Sequence, residues 1–232
     1  MKRFILCTFA AVFLLSGVAS VASASLLENG DFESYTFSDG TDIGKGEIHG
    51  RTWDQLGWDV WETLPGWRTY AGAGIEVQRS GVVTVAQSPD HYIELDSHSR
   101  TGEPTNTVMY QDVALTQGTY NLSFWYMART SAENDNGIFA SVTSDTLGID
   151  VFYNSVSKSH VRGTAYSWEN INWSFTVDQA ATYQLVFGAM GTQNTLGGFI
   201  DTISLNPVPE PATMMLFGIG LLGVAGIARK KE

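Results

Sequence analysis

In Thr119-Tyr120-Asn121-Leu122-Ser123-Phe124-Trp125-Tyr126, the residues Tyr120, Leu122, Phe124 and Tyr126 alternate with Thr119, Asn121, Ser123 and Trp125. Period two puts Tyr120, Leu122, Phe124 and Tyr126 on one face of a strand, packed on a core, and leaves the other face to water. The same rhythm returns in both directions along the chain. Ile171, Trp173, Phe175 and Val177 alternate with Asn172, Ser174 and Thr176; Tyr183, Leu185 and Phe187 repeat the phase, as do Ile203 and Leu205. Ile75/Val77 and Ile93/Leu95 are shorter versions. Gly-rich or Asx-rich turns separate these segments, and no long stretch of period 3.6 intervenes. The expectation is an all-β fold, an antiparallel two-sheet sandwich.

The ends are different in kind. Lys2 and Arg3 precede an apolar run from Phe4 to Leu15, and Ala22-Ser23-Ala24 supplies small residues for cleavage after Ala24. This is the pattern of a secretory signal, a helix of residues 1–24 that signal peptidase removes at the Ala22/Ala24 pair. The run is short for a membrane span, which argues against an uncleaved anchor. Cys7, the only cysteine, leaves with it. The mature domain therefore has no disulfide and no thiolate chemistry.

At the other end, three prolines in Pro207-Val208-Pro209-Glu210-Pro211 exclude helix and central strand. Residues 212–228 carry no charge, and Arg229-Lys230-Lys231 follows. Seventeen residues at about 1.5 Å each span roughly 25 Å, enough for a thin bilayer. A transmembrane helix over about 212–228 would leave the basic cluster in the cytoplasm and the domain outside the inner membrane. Removing both ends takes five basic residues and two acidic ones (Glu210, Glu232) from totals of 13 and 24. That leaves 8 against 22 and a charge of −14 with His neutral. So acidic a surface repels nucleic acid and anionic lipid; it suits neutral sugars, cations or plain solubility.

The order Val208-Pro209-Glu210-Pro211, Gly-rich apolar span, Arg229-Lys230-Lys231 resembles the PEP-CTERM sorting signal of exopolysaccharide-producing Gram-negative bacteria. The resemblance implies that residues 207–232 are recognised by an exosortase, which cuts near Pro209-Glu210-Pro211. The product would move to the cell surface or matrix. Glu210 and its neighbours are then a substrate site for another enzyme.

Between the signals, a series of short motifs resembles the galactose-binding-domain-like jelly roll of many carbohydrate-binding modules. It runs Asn29-Gly30-Asp31-Phe32-Glu33, Pro65-Gly66-Trp67, Gly74-Ile75-Glu76-Val77, Tyr92-Ile93-Glu94-Leu95-Asp96-Ser97, Tyr110-Gln111-Asp112-Val113, Gly118 to Phe124, and Gly197 to Leu205. The resemblance covers residues 25–206. A Trp- and Gly-rich insertion of about 38–62 departs from it.

That resemblance also implies a structural calcium, held by the side chains of Glu33, Glu76 and Asp201 and the backbone oxygens of Asp31 and Gln78. Read from the residues, Asp201 is in phase with Ile203 and Leu205, and a carboxylate on a core stripe must be paired, hydrogen-bonded or metal-bound. The alternative is that Asp201 bonds turn amides and Glu33 pairs with a basic side chain. No other cofactor is indicated.

Of the seven tryptophans, Trp67, Trp168 and Trp173 read as core. Trp53, Trp58 and Trp61 lie in the insertion among polar residues. They are either sugar platforms or a small core that folds the loop back. Tyr70, with Arg129 and Asn136, completes the candidate ligand set. No Asp, Glu, Ser or His sits in a recognisable catalytic motif, so the reading is a non-enzyme. It is an exported surface or biofilm-matrix protein that associates with exopolysaccharide, or else an adhesion scaffold. A carbohydrate-active enzyme is the third reading.

Overall fold

The computed structural model describes residues 25–34, 57–98 and 105–209. Within them two six-stranded antiparallel sheets pack face to face. The first contains β1 (Trp58–Trp61), β4 (Ile75–Arg79), β5 (His91–Glu94), β12 (Phe199–Pro207), β7 (Gly118–Met127) and β10 (Glu169–Val177), in that order. The second contains β2 (Thr63–Leu64), β3 (Trp67–Ala71), β6 (Val108–Leu115), β11 (Ala181–Met190), β8 (Gly137–Ser144) and β9 (Ile149–Val156). A 3-10 turn at Glu133–Asp135 joins β7 to β8.

The alternation works as read. Tyr120, Leu122, Phe124 and Tyr126 of β7 meet Tyr183, Leu185 and Phe187 of β11 in one continuous core. Ile75, Val77, Ile93 and Leu95 join it from the first sheet. Phe124 and Phe187 meet edge-on, ring centres 5.1 Å apart, the preferred geometry for aromatic pairs. Trp67 is fully buried, while Trp168 and Trp173 are partly buried against core clusters.

Residues 25–34 form no strand, because Asn29 (φ 50°) and Phe32 (φ 59°) interrupt extended backbone. The segment still lies along β12, through Ile203 N–H to Gly30 O (2.7 Å) and Leu26 N–H to Leu205 O (2.9 Å). The end of the insertion is not loop: Trp58–Trp61 is an edge strand paired with β4. Finally, Asp201 is not on the core stripe. β12 carries a bulge between Asp201 and Ser204, with Thr202 left-handed at φ 49°. The extra residue reverses the alternation. Ile200 and Ile203 both reach the core, and Asp201 shares the outer face with Phe199.

Part of that outer face is covered. Tyr92, Met127 and Phe199 form a second small cluster beneath Val83, Ala86 and Trp168. The Tyr92 hydroxyl accepts the N–H of Val83 (3.1 Å) and of Thr84 (3.4 Å), and donates to Gln78 Oε1 (3.0 Å). The 80–90 loop is thereby tied down on the first sheet.

Candidate functional site

Two buried polar clusters hold residues expected to bind calcium, and they are different clusters. In the first, Asp201 Oδ2 accepts the N–H of Gln87 (2.7 Å) and Ser88 (2.8 Å). Glu33 Oε1 accepts the N–H of Asp90 (2.9 Å) and His91 (3.0 Å), and Glu33 Oε2 pairs with His91 Nδ1 at 2.8 Å. Ser88 Oγ stands between them, 2.7 Å from Glu33 Oε1 and 3.2 Å from Asp201 Oδ2. Burial alone would raise both carboxyls. The Asp90 amide, the Ser88 hydroxyl and His91 outweigh it at Glu33, which is held below the ordinary range. At Asp201 burial wins, and its carboxyl is pushed up. Asp201 thus bonds turn amides, the alternative considered above.

In the second cluster, Glu76 on β4 lies directly opposite Glu94 on β5. Both are buried. Gln78 Nε2 donates to Glu76 Oε1 (2.8 Å) and Glu94 Oε2 (2.5 Å). Arg129 Nη1 donates to both oxygens of Glu94, at 2.5 and 2.6 Å, and the Gly197 amide donates to Oε1 at 2.6 Å. Glu76 Oε2 accepts the His98 N–H (2.9 Å) and faces its Nδ1 at 3.0 Å. Burial, then the Glu76 charge, pushes Glu94 well above the ordinary carboxylate range against the pull of Arg129.

The three carboxylates expected to share one calcium are divided between the two clusters. Glu33 and Asp201 belong to the first and Glu76 to the second, where the Gln78 side chain joins it, and Asp31 offers its side chain to the Glu33 amide at 3.4 Å. Among the described residues, no group of three or more His, Cys, Asp and Glu side chains is placed to hold a metal ion.

The expected sugar contacts also separate. Trp53 lies outside the described residues, as do Ala22, Ala24, Glu210, Pro211, Arg229, Lys230 and Lys231; Pro209 closes the described chain. Trp61 is core, with 5% of its surface exposed. Trp58 is half-buried, its ring centre 4.2 Å from that of His98. Arg129 is committed to Glu94. Asn136 is buried: its Oδ1 accepts the N–H of Arg129 (2.9 Å) and Thr130 (3.0 Å), and its Nδ2 donates to the carbonyls of Thr130, Ala132 and Lys158. It shapes a turn. Only Tyr70, 71% exposed, stands free on the surface.

Tyr70 leads to a surface that the sequence reading missed. On the outer face of the second sheet, Arg68, Tyr110, Val186, Ser141 and Tyr153 stand opposite one another across five strands. Four inter-strand steps of about 4.8 Å carry this row roughly 19 Å. Beside it runs Val108, Gly188, Phe139 and Ser155. Tyr70 meets Tyr110 edge-on at 6.2 Å, and Phe139 stacks on Tyr153 at 5.7 Å. At one margin a groove of about 410 Å³ is bordered by Arg68, Tyr110 and Asp112. The signal was available only across strands: four of the five contribute one ring each to this face, which no single segment reveals.

Residues 207–230 match the family model of the PEP-CTERM protein-sorting motif. The chain thus carries the sorting signal of an exported, exosortase-processed surface protein. No curated protein matches the chain. Similar solved structures include TmCBM61 in complex with β-1,4-galactotriose, at 19% identity and TM-score 0.48, covering 80% of this chain and 100% of that one. The K1 cleaved adhesin domain of Lys-gingipain from Porphyromonas gingivalis is similar at 14% identity and TM-score 0.46, covering 66% and 98%. A CBM4 structure is similar at 15% and 0.40, covering 78% and 99%. Among the described residues, no helix is long and apolar enough to cross a membrane; the expected span at 212–228 lies outside them.

Proposed function

We propose that this domain binds a neutral exopolysaccharide along the outer face of the second sheet, as a non-catalytic surface or matrix protein. The observation that carries the proposal is the set of rings on that face, of which Tyr70 and Tyr153 are exposed and Tyr110 and Phe139 half-buried. Tyr70 is 71% and Tyr153 63% exposed, which is wasteful for the core and well suited to the apolar face of a pyranose. Ser141, Thr143, Gln184 and Ser155 lie between or beside them and supply hydroxyl and amide partners for sugar hydroxyls. The charge of −14 carried by residues 25–208 disfavours uronic-acid polymers.

Before release, the 212–228 span holds the domain at the outer side of the inner membrane of a Gram-negative cell. Exosortase cleavage near Glu210 then frees it. Affinity electrophoresis of the exported domain through gels containing neutral polysaccharides tests the binding. Tyr110→Ala and Tyr153→Ala should each weaken retardation by about tenfold. Retardation unchanged in the double variant would remove the face from consideration, and self-assembly without sugar would favour the scaffold reading.

A further inference from the structure

Asp96 and Asn106 form an isolated antiparallel bridge just beyond β5. The flanking backbone bonds, Ser97 N–H to Thr105 O (2.9 Å) and Thr107 N–H to Leu95 O (2.6 Å), skip the two residues themselves. They are thus a non-hydrogen-bonded pair, the kind whose α-carbons approach to about 4.5 Å. Directly opposed residues project their side chains from the same face. Both reach the 191–196 segment. Asp96 Oδ2 accepts the N–H of Asn194 (2.9 Å) and Leu196 (3.2 Å), while Asn106 Nδ2 donates to Gly191 O at 3.2 Å.

Each side chain has one more polar atom, an oxygen. Asp96 Oδ1 and Asn106 Oδ1 are both shut off from solvent, and neither meets a hydrogen-bond donor. Asp96 as a whole is completely buried. Turning the Asn106 amide round would set its oxygen against the Gly191 carbonyl. Among the described residues, no Lys, Arg or His forms an ion pair with Asp96. Arg129, on the same side of the sheet, is spent on Glu94 and the Thr195 carbonyl. Two unpartnered acceptors on directly opposed residues, both shut off from solvent and one of them a carboxylate, are costly without a positive partner.

We infer that Asp96 Oδ1 and Asn106 Oδ1 are ligands of a hard divalent cation, Ca²⁺. A carboxylate oxygen beside an amide oxygen is the donor chemistry this ion takes, with backbone carbonyls and water completing its shell. The ion pins the 191–196 segment to the end of the first sheet, immediately before β12. This is a different place from the Glu33 and Asp201 junction, where every carboxylate oxygen already has a partner.

The test is calcium titration of the full-length chain in detergent after chelator treatment, followed by calorimetry and thermal unfolding, with Mg²⁺ in parallel. Wild type and Glu33→Gln should bind one Ca²⁺ and melt higher with it. Asp96→Asn should lose the ion. Asn106→Asp sets two carboxylates together: it should melt lower than wild type in chelator and bind Ca²⁺ about tenfold tighter, since charged ligands tune affinity. That variant decides the matter if Asp96→Asn does not fold. No Ca²⁺ binding to wild type, or binding lost in Glu33→Gln and retained in Asp96→Asn, would overturn the assignment; in the first case a buried water fills the place.

Discussion

The ring of Phe139 lies across the bare α-carbon of Gly188. A β-carbon there would come within 2.4 Å of Phe139 Cε1 and 2.6 Å of Cζ, with a methyl of Val108 3.1 Å away on the other side. A glycine in mid-strand normally weakens a sheet; here it allows one ring to lie flat over the neighbouring strand, stacked on Tyr153. Gly188→Ala should therefore displace Phe139 and weaken polysaccharide binding by about tenfold. The half-buried ring lies on the outer face and not in the core, so the melting temperature should hardly change. A variant that binds as wild type would show that Phe139 is not a contact.

Ser88 mediates between Glu33 and Asp201, and Ser88→Ala should cost about 1–2 kcal/mol near neutral pH. Glu33, held below its ordinary value near 4.5, contributes stability above that value which is lost as pH falls through its folded value. Asp201, pushed above 3.8, runs the other way: its contribution declines as pH rises through its folded value. Removing the hydroxyl weakens the support of Glu33, so the acid limb of the stability curve should begin at higher pH. Urea unfolding from pH 3 to 8 reads both effects.

Arg129 offsets the buried charge of Glu94 beside Glu76. Because Glu94 titrates well above the usual range, the native state keeps a proton there that the unfolded chain has lost, and stability falls as pH rises through that window. Arg129→Met should steepen this slope. The expected cost is about 3–5 kcal/mol at pH 8 and less at pH 5, because ionised Glu94 would lack its counter-charge and rising pH favours that form. Equal losses at the two pH values would mean that Arg129 acts by packing alone.

The Tyr92 hydroxyl ties the 80–90 loop to the sheet. Tyr92→Phe keeps the ring in its cluster with Met127 and Phe199 but leaves the Val83 and Thr84 amides without their acceptor. About 1–2 kcal/mol should be lost. Hydrogen exchange at those two amides should accelerate while that of β7 stays unchanged.

The fold was legible where burial is one-sided. β7, β10 and β11 announce themselves because one face is apolar and the other is not. β8 and β9 were missed: Phe139 and Tyr153 sit on the solvent side and blur the alternation. The phase of Asp201 was misread for a related reason, since nothing in Asp201-Thr202-Ile203 advertises that Thr202 turns left-handed. Trp61 was taken from a loop-like neighbourhood into the core by pairing with β4, a tertiary effect. Glu94 and Asp96 were visible as alternating acids in a buried strand, beside Ile93 and Leu95. What local sequence could not supply was which partners, Arg129 and Asn106, the topology would bring to them.

The left-handed residue at 202 sets the parity of the whole last strand. Shortening the chain by one position there would restore strict alternation and force a choice. Either Asp201 would be driven among hydrocarbon or Ile203 and Leu205 would be turned out to water. A changed side chain here disturbs one contact, whereas a changed count turns over every residue that follows.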